Sequence, residues 1–300
     1  MKTWLWAFAV LLGIASCSCA SESTGFTIGA DHLRIHYLKS GPSRAPYTLL
    51  LIPGWRISAS IWSEQLRHFA ARGDRVVAID SRSQGESSIA PSGNAPENRA
   101  ADINQVIHSL QLDHVILIGW SQGAQDVAAY ANQFGISALD GMVLVDSPVS
   151  AGPDDVSQNP GFIKVIESGI GVYARNPEAY SAGMLHAIMH VPPPASSYAL
   201  LEAEAMKTPV DTGISMLVQD LFTTDRRPYL KKFNTSVLVI ASGESPLLQA
   251  QRQMASVLPQ AQFDVIEHAA HAVFVDQPDK FDRQLDAFIA SLTAMHSARD

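Results

Sequence analysis

The sequence predicts an α/β fold, a mostly parallel sheet flanked by helices with an inserted helical cap. Three observations carry the prediction. Short runs rich in Val, Ile and Leu, such as Arg75–Ile79 and His114–Ile118, are continuous rather than alternating, as strands buried on both faces are. Segments with apolar residues every three or four positions lie between those runs. One long stretch, residues 148–235, breaks this alternation.

The strands follow in order. Leu33 to Leu38 alternates, Tyr47 to Ile52 ends at Pro53-Gly54, and Arg75 to Ile79 ends at Asp80. His114 to Ile118 runs into Gly119, Met142 to Val145 into Asp146, and Ser236 to Ala241 into Ser242-Gly243; Ala261 to Ile266 is the last. Helical spacing marks Ile61 to Ala71, Glu97 to Leu110, Gly123 to Phe134, Leu247 to Leu258 and Lys280 to Met295. Strand and helix in alternation give a sheet covered on both sides. The organisation read from this is a core in two parts, 25–147 and 236–300, around a cap insertion at 148–235. In an open α/β sheet such an insertion sits over the strand ends, where ligands bind.

The first twenty residues stand apart. Lys2 is followed by the apolar run Trp4 to Ala15 and by the small residues Ser16, Cys17, Ser18, Cys19 and Ala20. That is the pattern of a secretory signal, and the run is shorter than the ~20 residues of a bilayer span. Two cleavage readings stay open. Ser18-Cys19-Ala20 fits ordinary signal peptidase, whereas Ile14-Ala15-Ser16-Cys17 resembles a bacterial lipobox that would put a lipid on Cys17. Membrane contact is expected only through that lipid. Both cysteines of the chain lie in this segment, so no disulfide is expected in the folded domain. The location expected is periplasmic or secreted.

With 300 residues, 47% of them hydrophobic, and a net charge of −8, the chain is long enough for one large domain. Its acidic balance argues against nucleic acid as a partner. The partner expected is a small-molecule substrate; the sequence says nothing of oligomeric state. No HExxH or clustered His/Cys pattern is present, so neither a metal nor an organic cofactor is expected. His186 and His190 read as lid or packing residues.

The chemistry starts at Gly119-Trp120-Ser121-Gln122-Gly123, which fits G-x-S-x-G between a buried strand and a helix. Gly119 and Gly123 let the turn tighten until the Ser121 hydroxyl is presented at the end of the sheet. A serine needs a base to become a nucleophile. His271, just after the last strand, satisfies the order serine, acid, histidine, with His268 as the fallback.

The chain resembles the α/β-hydrolase superfamily, in the branch of small esterases and cofactor-free haloperoxidase-like enzymes. The resemblance runs over Leu33 to Leu292. It is carried by Pro53-Gly54-Trp55, the block Asp80 to Ser87, the Ser121 turn, and the stretch His271 to Pro278. It implies an oxyanion hole made of the backbone N–H groups of Gln122 and Trp55, although Pro53-Gly54 stands where relatives carry His-Gly. The indole of Trp55 reads equally as core packing or as a wall of the acyl pocket. The Asp80 to Ser87 block reads as structural, with Arg82 pinning the loop.

The acid stays open between two residues. Relatives usually carry Asp where this chain has Ser245. Glu244 is adjacent, and Asp146 follows the preceding strand, a placement that some members of the superfamily use, haloalkane dehalogenases among them. Asp146 is the preferred candidate, with Glu244 the alternative. The cap is apolar. Met184, Met189, Leu217 and Phe222, with Trp55 and Trp120 from the core, are candidates for the substrate pocket or for the cap's own packing. The activity implied is hydrolysis of small or medium apolar esters through an acyl-enzyme. Lactone opening, perhydrolysis or C–C hydrolysis on the same residues, or a non-catalytic receptor, are the alternatives. An aspartate in place of Ser121 would be needed for dehalogenase or epoxide-hydrolase chemistry.

The leader makes one prediction. Protein expressed in a bacterial host with an export pathway is expected to lack Met1 to at least Ser16 by intact-mass measurement. A diacylglyceryl mass on Cys17 selects the lipobox, and an unprocessed N-terminus rejects export.

Overall fold

The computed structural model describes residues 22–150 and 160–297. The leader, with Cys17 and both cleavage readings, lies outside the described residues, as does part of the cap insertion, 151–159. Eight strands form one sheet: β1 (Ser23–Ile28), β2 (Arg34–Ser40), β3 (Thr48–Ile52), β4 (Arg75–Ile79), β5 (Val115–Trp120), β6 (Leu139–Val145), β7 (Ser236–Ser242) and β8 (Ala261–Ile266), in the order β1-β2-β4-β3-β5-β6-β7-β8. The pairs β1–β2 and β2–β4 are antiparallel, and every later pair is parallel. Seven strands match runs read from the sequence. β1 does not, because it is an edge strand whose Phe26 and Ile28 are exposed, so it leaves no apolar run.

The period of two along each central strand separates two cores. Leu49, Leu51, Ile116, Ile118, Val143, Val145, Leu238 and Ile240 face helices α1 (Ser63–Ala71) and α10 (Pro278–Ser297). Leu50, Ile52, Val115, Leu117, Met142, Leu144, Val237 and Val239 face α2 (Pro96–Ser109), α3 (Gln122–Phe134) and α8 (Leu248–Val257). A short helix, α9 (Val273–Asp276), precedes α10.

The cap consists of α4 (Pro160–Arg175), α5 (Pro177–Ala187), α6 (Ala195–Ala205) and α7 (Val210–Phe222). The three prolines 192–194 lie in the break between α5 and α6, with Pro194 capping α6, where the missing N–H groups cost nothing. After α7 the chain makes a 3-10 turn, Arg227–Lys232. Leu230 and Phe233 there pack into the core with α3, so the last part of the 148–235 insertion belongs physically to the core. Among the described residues, no helix is long and apolar enough to cross a membrane.

The Asp80 to Ser87 block is a structural corner. Asp80 accepts the backbone N–H groups of Ala59 and Glu86 at 2.6 and 2.8 Å. Arg82, fully buried, pairs with Asp102 through Nε and Nη2 at 2.6 and 2.9 Å.

Where α1 meets α10, Gln65 Nε2 donates to Asp282 Oδ1 at 3.2 Å. Burial pushes the Asp282 carboxyl up to about 6. Between pH ~4 and ~6 the fold therefore holds a proton that the unfolded chain has released, and stability falls as pH rises through that window. Asp282→Asn keeps the acceptor for Gln65 and removes the charge. It is expected to raise Tm by about 2–4 °C at pH 7 and to leave it nearly unchanged at pH 4. Thermal melts at the two pH values check this, and an equal shift at both rules out the carboxylate charge as the cause.

Candidate active site

The parallel register gathers the site at the C-terminal ends of the central strands. Gly119 on β5 lies opposite Ile52 on β3 and Leu144 on β6. The residues leaving those three strands, Pro53-Gly54-Trp55, Ser121 and Asp146, are therefore neighbours. Ser121 sits at φ 56°, ψ −119°, a conformation that costs a non-glycine residue ~1–3 kcal/mol. The two flanking glycines hold it there. A Cβ at Gly119 would stand 2.2 Å from the Gly123 carbonyl oxygen, and one at Gly123 would stand 2.6 Å from that of Ile52. The Ser121 N–H donates to the Val145 carbonyl at 3.0 Å, which fixes the turn to β6.

A continuous hydrogen-bonded chain runs from this serine. Ser121 Oγ lies 2.8 Å from His271 Nε2, and His271 Nδ1 lies 2.7 Å from Asp146 Oδ2. The other Asp146 oxygen accepts from the Ser242 N–H at 2.9 Å and from Gln251 Nε2 at 3.0 Å. Burial pushes the Asp146 carboxyl up, but the bond and charge of His271, with those two donors, outweigh it and hold the group below its ordinary value. Of the two candidate acids, the structure brings Asp146 to His271. Glu244 points to the cavity mouth, half exposed, 3.3 Å from His190 Nε2 on the cap. Ser245 takes a supporting place, its Oγ accepting from the same Gln251 amide at 3.1 Å. His268 is exposed and does not line the cavity beside Ser121; its carbonyl accepts from Gln277 at 3.0 Å.

The loop carrying His271 is pinned from two sides. Trp120 Nε1 donates to the His271 carbonyl at 2.9 Å. Asp276 accepts from the Ala270 N–H with one oxygen, and from the N–H groups of His190 and Val191 with the other, at 2.7, 2.8 and 2.9 Å. One carboxylate thus ties the histidine loop to the cap.

Both N–H groups expected to receive an oxyanion border the serine. Gln122 opens α3, where N–H groups have no intrahelical partner and the positive end of the helix dipole lies. A Cβ on Gly54 would touch Ser121 Cβ at 3.1 Å and the Trp120 ring at 3.2 Å; the loop before Trp55 can come this close only without a side chain. Among the described residues the Trp55 N–H has no acceptor. The Trp55 indole reaches the cap, donating to the Gly213 carbonyl at 2.9 Å, with Tyr173 and Tyr180 edge-on to it.

A cavity of about 520 Å³ opens beside Ser121. Trp55, Trp120, Met184 and Leu217 line it, as the sequence suggested. Met189 does not; it is buried in the core with Leu185 and Leu201. Phe222 does not line it either, because Leu217, Asp220 and Leu221 form the inward stripe of α7 and the next residue is turned ~100° away. Ile166 and Ile188 complete the apolar wall. The acidic side chains Asp146, Asp220 and Glu244 also line it, and no lysine or arginine does among the described residues. None of the described His, Cys, Asp and Glu residues form a group that could hold a metal.

Two contributors escaped the sequence reading. Gln251 carries no signal within an amphipathic helix. Asp220 does, as an acid on the apolar face of α7. It is 3% exposed and accepts from Arg99 Nη2 at 2.7 Å and from Gln122 Nε2 at 2.5 Å. Arg99 is also bound through Nε to both oxygens of Asp126 on α3, at 2.8 and 3.0 Å. Burial pushes the Asp126 carboxyl up to about 7 against the pull of that arginine.

Known proteins agree with this architecture. The chain matches the alpha/beta hydrolase family over residues 49–284 and belongs to that family. It is 25% identical to a non-heme chloroperoxidase of Kitasatospora aureofaciens over 86% of its own length and 97% of that protein. It is 29% identical to a bifunctional esterase/perhydrolase of Acinetobacter calcoaceticus, over 41% of its own length and 44% of that protein. The crystal structure of a bromoperoxidase from Bacillus anthracis superposes with a TM-score of 0.77 at 20% identity, covering 89% of this chain and all of that one.

Proposed function

We propose that the protein is a serine hydrolase of small or medium neutral, apolar carboxylic esters, working through an acyl-enzyme. The observation that carries this reading is the unbroken chain from Ser121 Oγ through His271 to Asp146, at 2.8 and 2.7 Å, beside an apolar cavity. His271 Nε2 takes the proton of Ser121 as Oγ attacks the ester carbonyl. The tetrahedral oxygen is received by the N–H groups of Gln122 and Trp55. His271 then gives its proton to the departing alcohol. Water, deprotonated by the same imidazole, releases the acid and restores the serine. Asp146 stays ionised, fixes the tautomer that leaves Nε2 facing the serine, and stabilises the imidazolium. Asp146, Asp220 and Glu244 line the cavity and, among the described residues, no lysine or arginine does, which disfavours anionic substrates. A non-catalytic receptor would have no use for this chain of three groups. The reading includes action after export, on the pattern of the leader alone.

Ser121→Ala is expected to lower turnover of p-nitrophenyl esters by more than a hundredfold with the fold intact, since losses of such residues are typically far larger. A chain-length series, run beside lactones and with hydrogen peroxide as acceptor, identifies the preferred acyl group. A preference for lactone or for peracid formation moves the reading to that sibling reaction.

Asp146→Asn keeps the shape and removes the charge. It is expected to cost about 10⁴ in kcat, while Glu244→Gln stays within about threefold of wild type because the Glu244 carboxylate, half exposed at the cavity mouth, is paired with an equally exposed His190. Steady-state kinetics on the two variants checks the assignment, and the reverse order of severity rejects it.

A further inference from the structure

The two residues whose backbone N–H groups flank Ser121 share a second property. Each sends its side chain to the same cap helix. Trp55 Nε1 donates to the Gly213 carbonyl at 2.9 Å, and Gln122 Nε2 donates to Asp220 Oδ2 at 2.5 Å. Gly213 and Asp220 both belong to α7 and are seven residues apart. Two turns of helix bring them back to one face. Trp55 leaves β3 and Gln122 opens α3, so these are separate elements of the core bridged by one rod.

Both ends of the bridge are built. At one end a Cβ on Gly213 would stand 2.6 Å from the Tyr173 hydroxyl, so the glycine leaves the room that the tyrosine ring end occupies beside Trp55. Tyr173 and Tyr180 pack edge-on to the Trp55 ring, and the buried Arg56 guanidinium lies over its face, 5.2 Å from the centroid. At the other end Asp220 is held by Arg99, itself locked to Asp126 on α3. Arg226, just beyond α7, donates to Gln125 and Glu97. The first turn and a half of α3 is therefore held by α7 at Gln122, by Arg226 just after α7 at Gln125, and at Asp126 by way of Arg99 on α2.

We infer that α7 is a splint for the oxyanion hole. It fixes the spacing and aim of the Trp55 and Gln122 N–H groups, so the cap takes part in transition-state stabilisation as well as walling the pocket. The inference rests on the proposed hydrolase reading. Trp55 and Gln122 act here in two capacities: their backbones touch the oxyanion, and their side chains position those backbones. Asp220 and the Gly213 carbonyl are positioning groups only. A donor that is displaced rather than removed forfeits part of its contribution, because an oxyanion-hole bond needs a preorganised donor within about 2.7–3.1 Å of the developing charge.

The test uses Trp55→Phe, which keeps the aromatic packing and loses the N–H, and Gln122→Ala, which keeps the backbone donor and loses the amide. Each is assayed with p-nitrophenyl butyrate. Each is also titrated with 1,1,1-trifluoroheptan-2-one, which forms a tetrahedral adduct on the serine, and with heptan-2-one, which mimics the ground state. Each variant is expected to lose about tenfold in kcat, less than the 10²–10³ lost with a whole donor, with KM within twofold. Inhibition by the trifluoroketone should weaken by the same factor, while heptan-2-one binding stays unchanged. A role limited to shaping the pocket would raise KM and weaken both ketones equally, which overturns the inference, as does wild-type kcat in both variants. Because either variant can lose stability, Tm is measured, and Asp220→Asn serves as a third probe that leaves both donor residues intact. It is expected to weaken the trifluoroketone selectively, and a wild-type response there also overturns the splint. Ser121→Ala separates the two levels. Full turnover in that variant removes the hydrolase reading itself, whereas an inert Ser121→Ala beside unaffected splint variants removes the splint alone.

Discussion

The close approach of β5 and α3 around Ser121 is the constraint on which the rest of the site depends. Two glycines let the backbone of one strand, one turn and one helix meet where a single methyl group would collide with carbonyl oxygens. The strained φ of Ser121 is held by that packing and by its bond to β6. A serine presented in this way has a fixed direction. The helix N-terminus lies on one side, the loop after β3 on another, and the imidazole on a third. Each partner reaches a fixed target, so modest hydrogen bonds suffice to hold them.

The charge that completes the site enters from an adjacent strand. Asp146 leaves β6 at φ 43° and is met by His271 from beyond β8, by the Ser242 N–H from β7 and by Gln251 from α8. Its carboxylate is buried, with donors on both oxygens, which is the condition under which a buried charge is tolerated. Ser245, where the family resemblance led us to expect the acid, is part of the cradle instead: its Oγ and the Asp146 carboxylate accept from one amide, that of Gln251.

Most of the fold was legible because buried parallel strands write continuous apolar runs and their covering helices write a period near 3.6. β1 was silent because an edge strand shares neither constraint. Ser121 and His271 were legible from local context, since the turn and the position after the last strand each demand a particular chemistry. The choice of Asp146 over Glu244 rested on topology; in the structure Asp146 Oδ2 lies 2.7 Å from His271 Nδ1, and Glu244 lies against His190. The pocket was read in part. Apolar residues on and beside α7 and α5 look alike in sequence; the phase of α7 separates Leu217 from Phe222, and Met184 lies on α5 whereas Met189 lies past its end. Asp220 and Gln251 were missed because their meaning lies in contacts spanning about a hundred residues of chain, between elements whose relative placement no local pattern records.

The grip of the cap on α3 bears on how such a protein can change its specificity by exchanging segments. The insertion runs from Pro148 to Thr235, and a chimera cut at those points would take Asp220 away from Arg99 and Arg226 away from Glu97 and Gln125. Arg99 is buried, and a buried cation left short of a partner is costly, by about 3–5 kcal/mol when one member of an ion pair is removed. A shorter segment, covering α4 to α6 and ending before α7, leaves that ion pair in place, provided it also supplies acceptors for the buried Arg56, whose Nη2 donates to Ser181 Oγ and the Ala205 carbonyl at 2.7 and 2.8 Å. The last helix of the insertion is inherited with the core, although it reads in the chain as part of the cap.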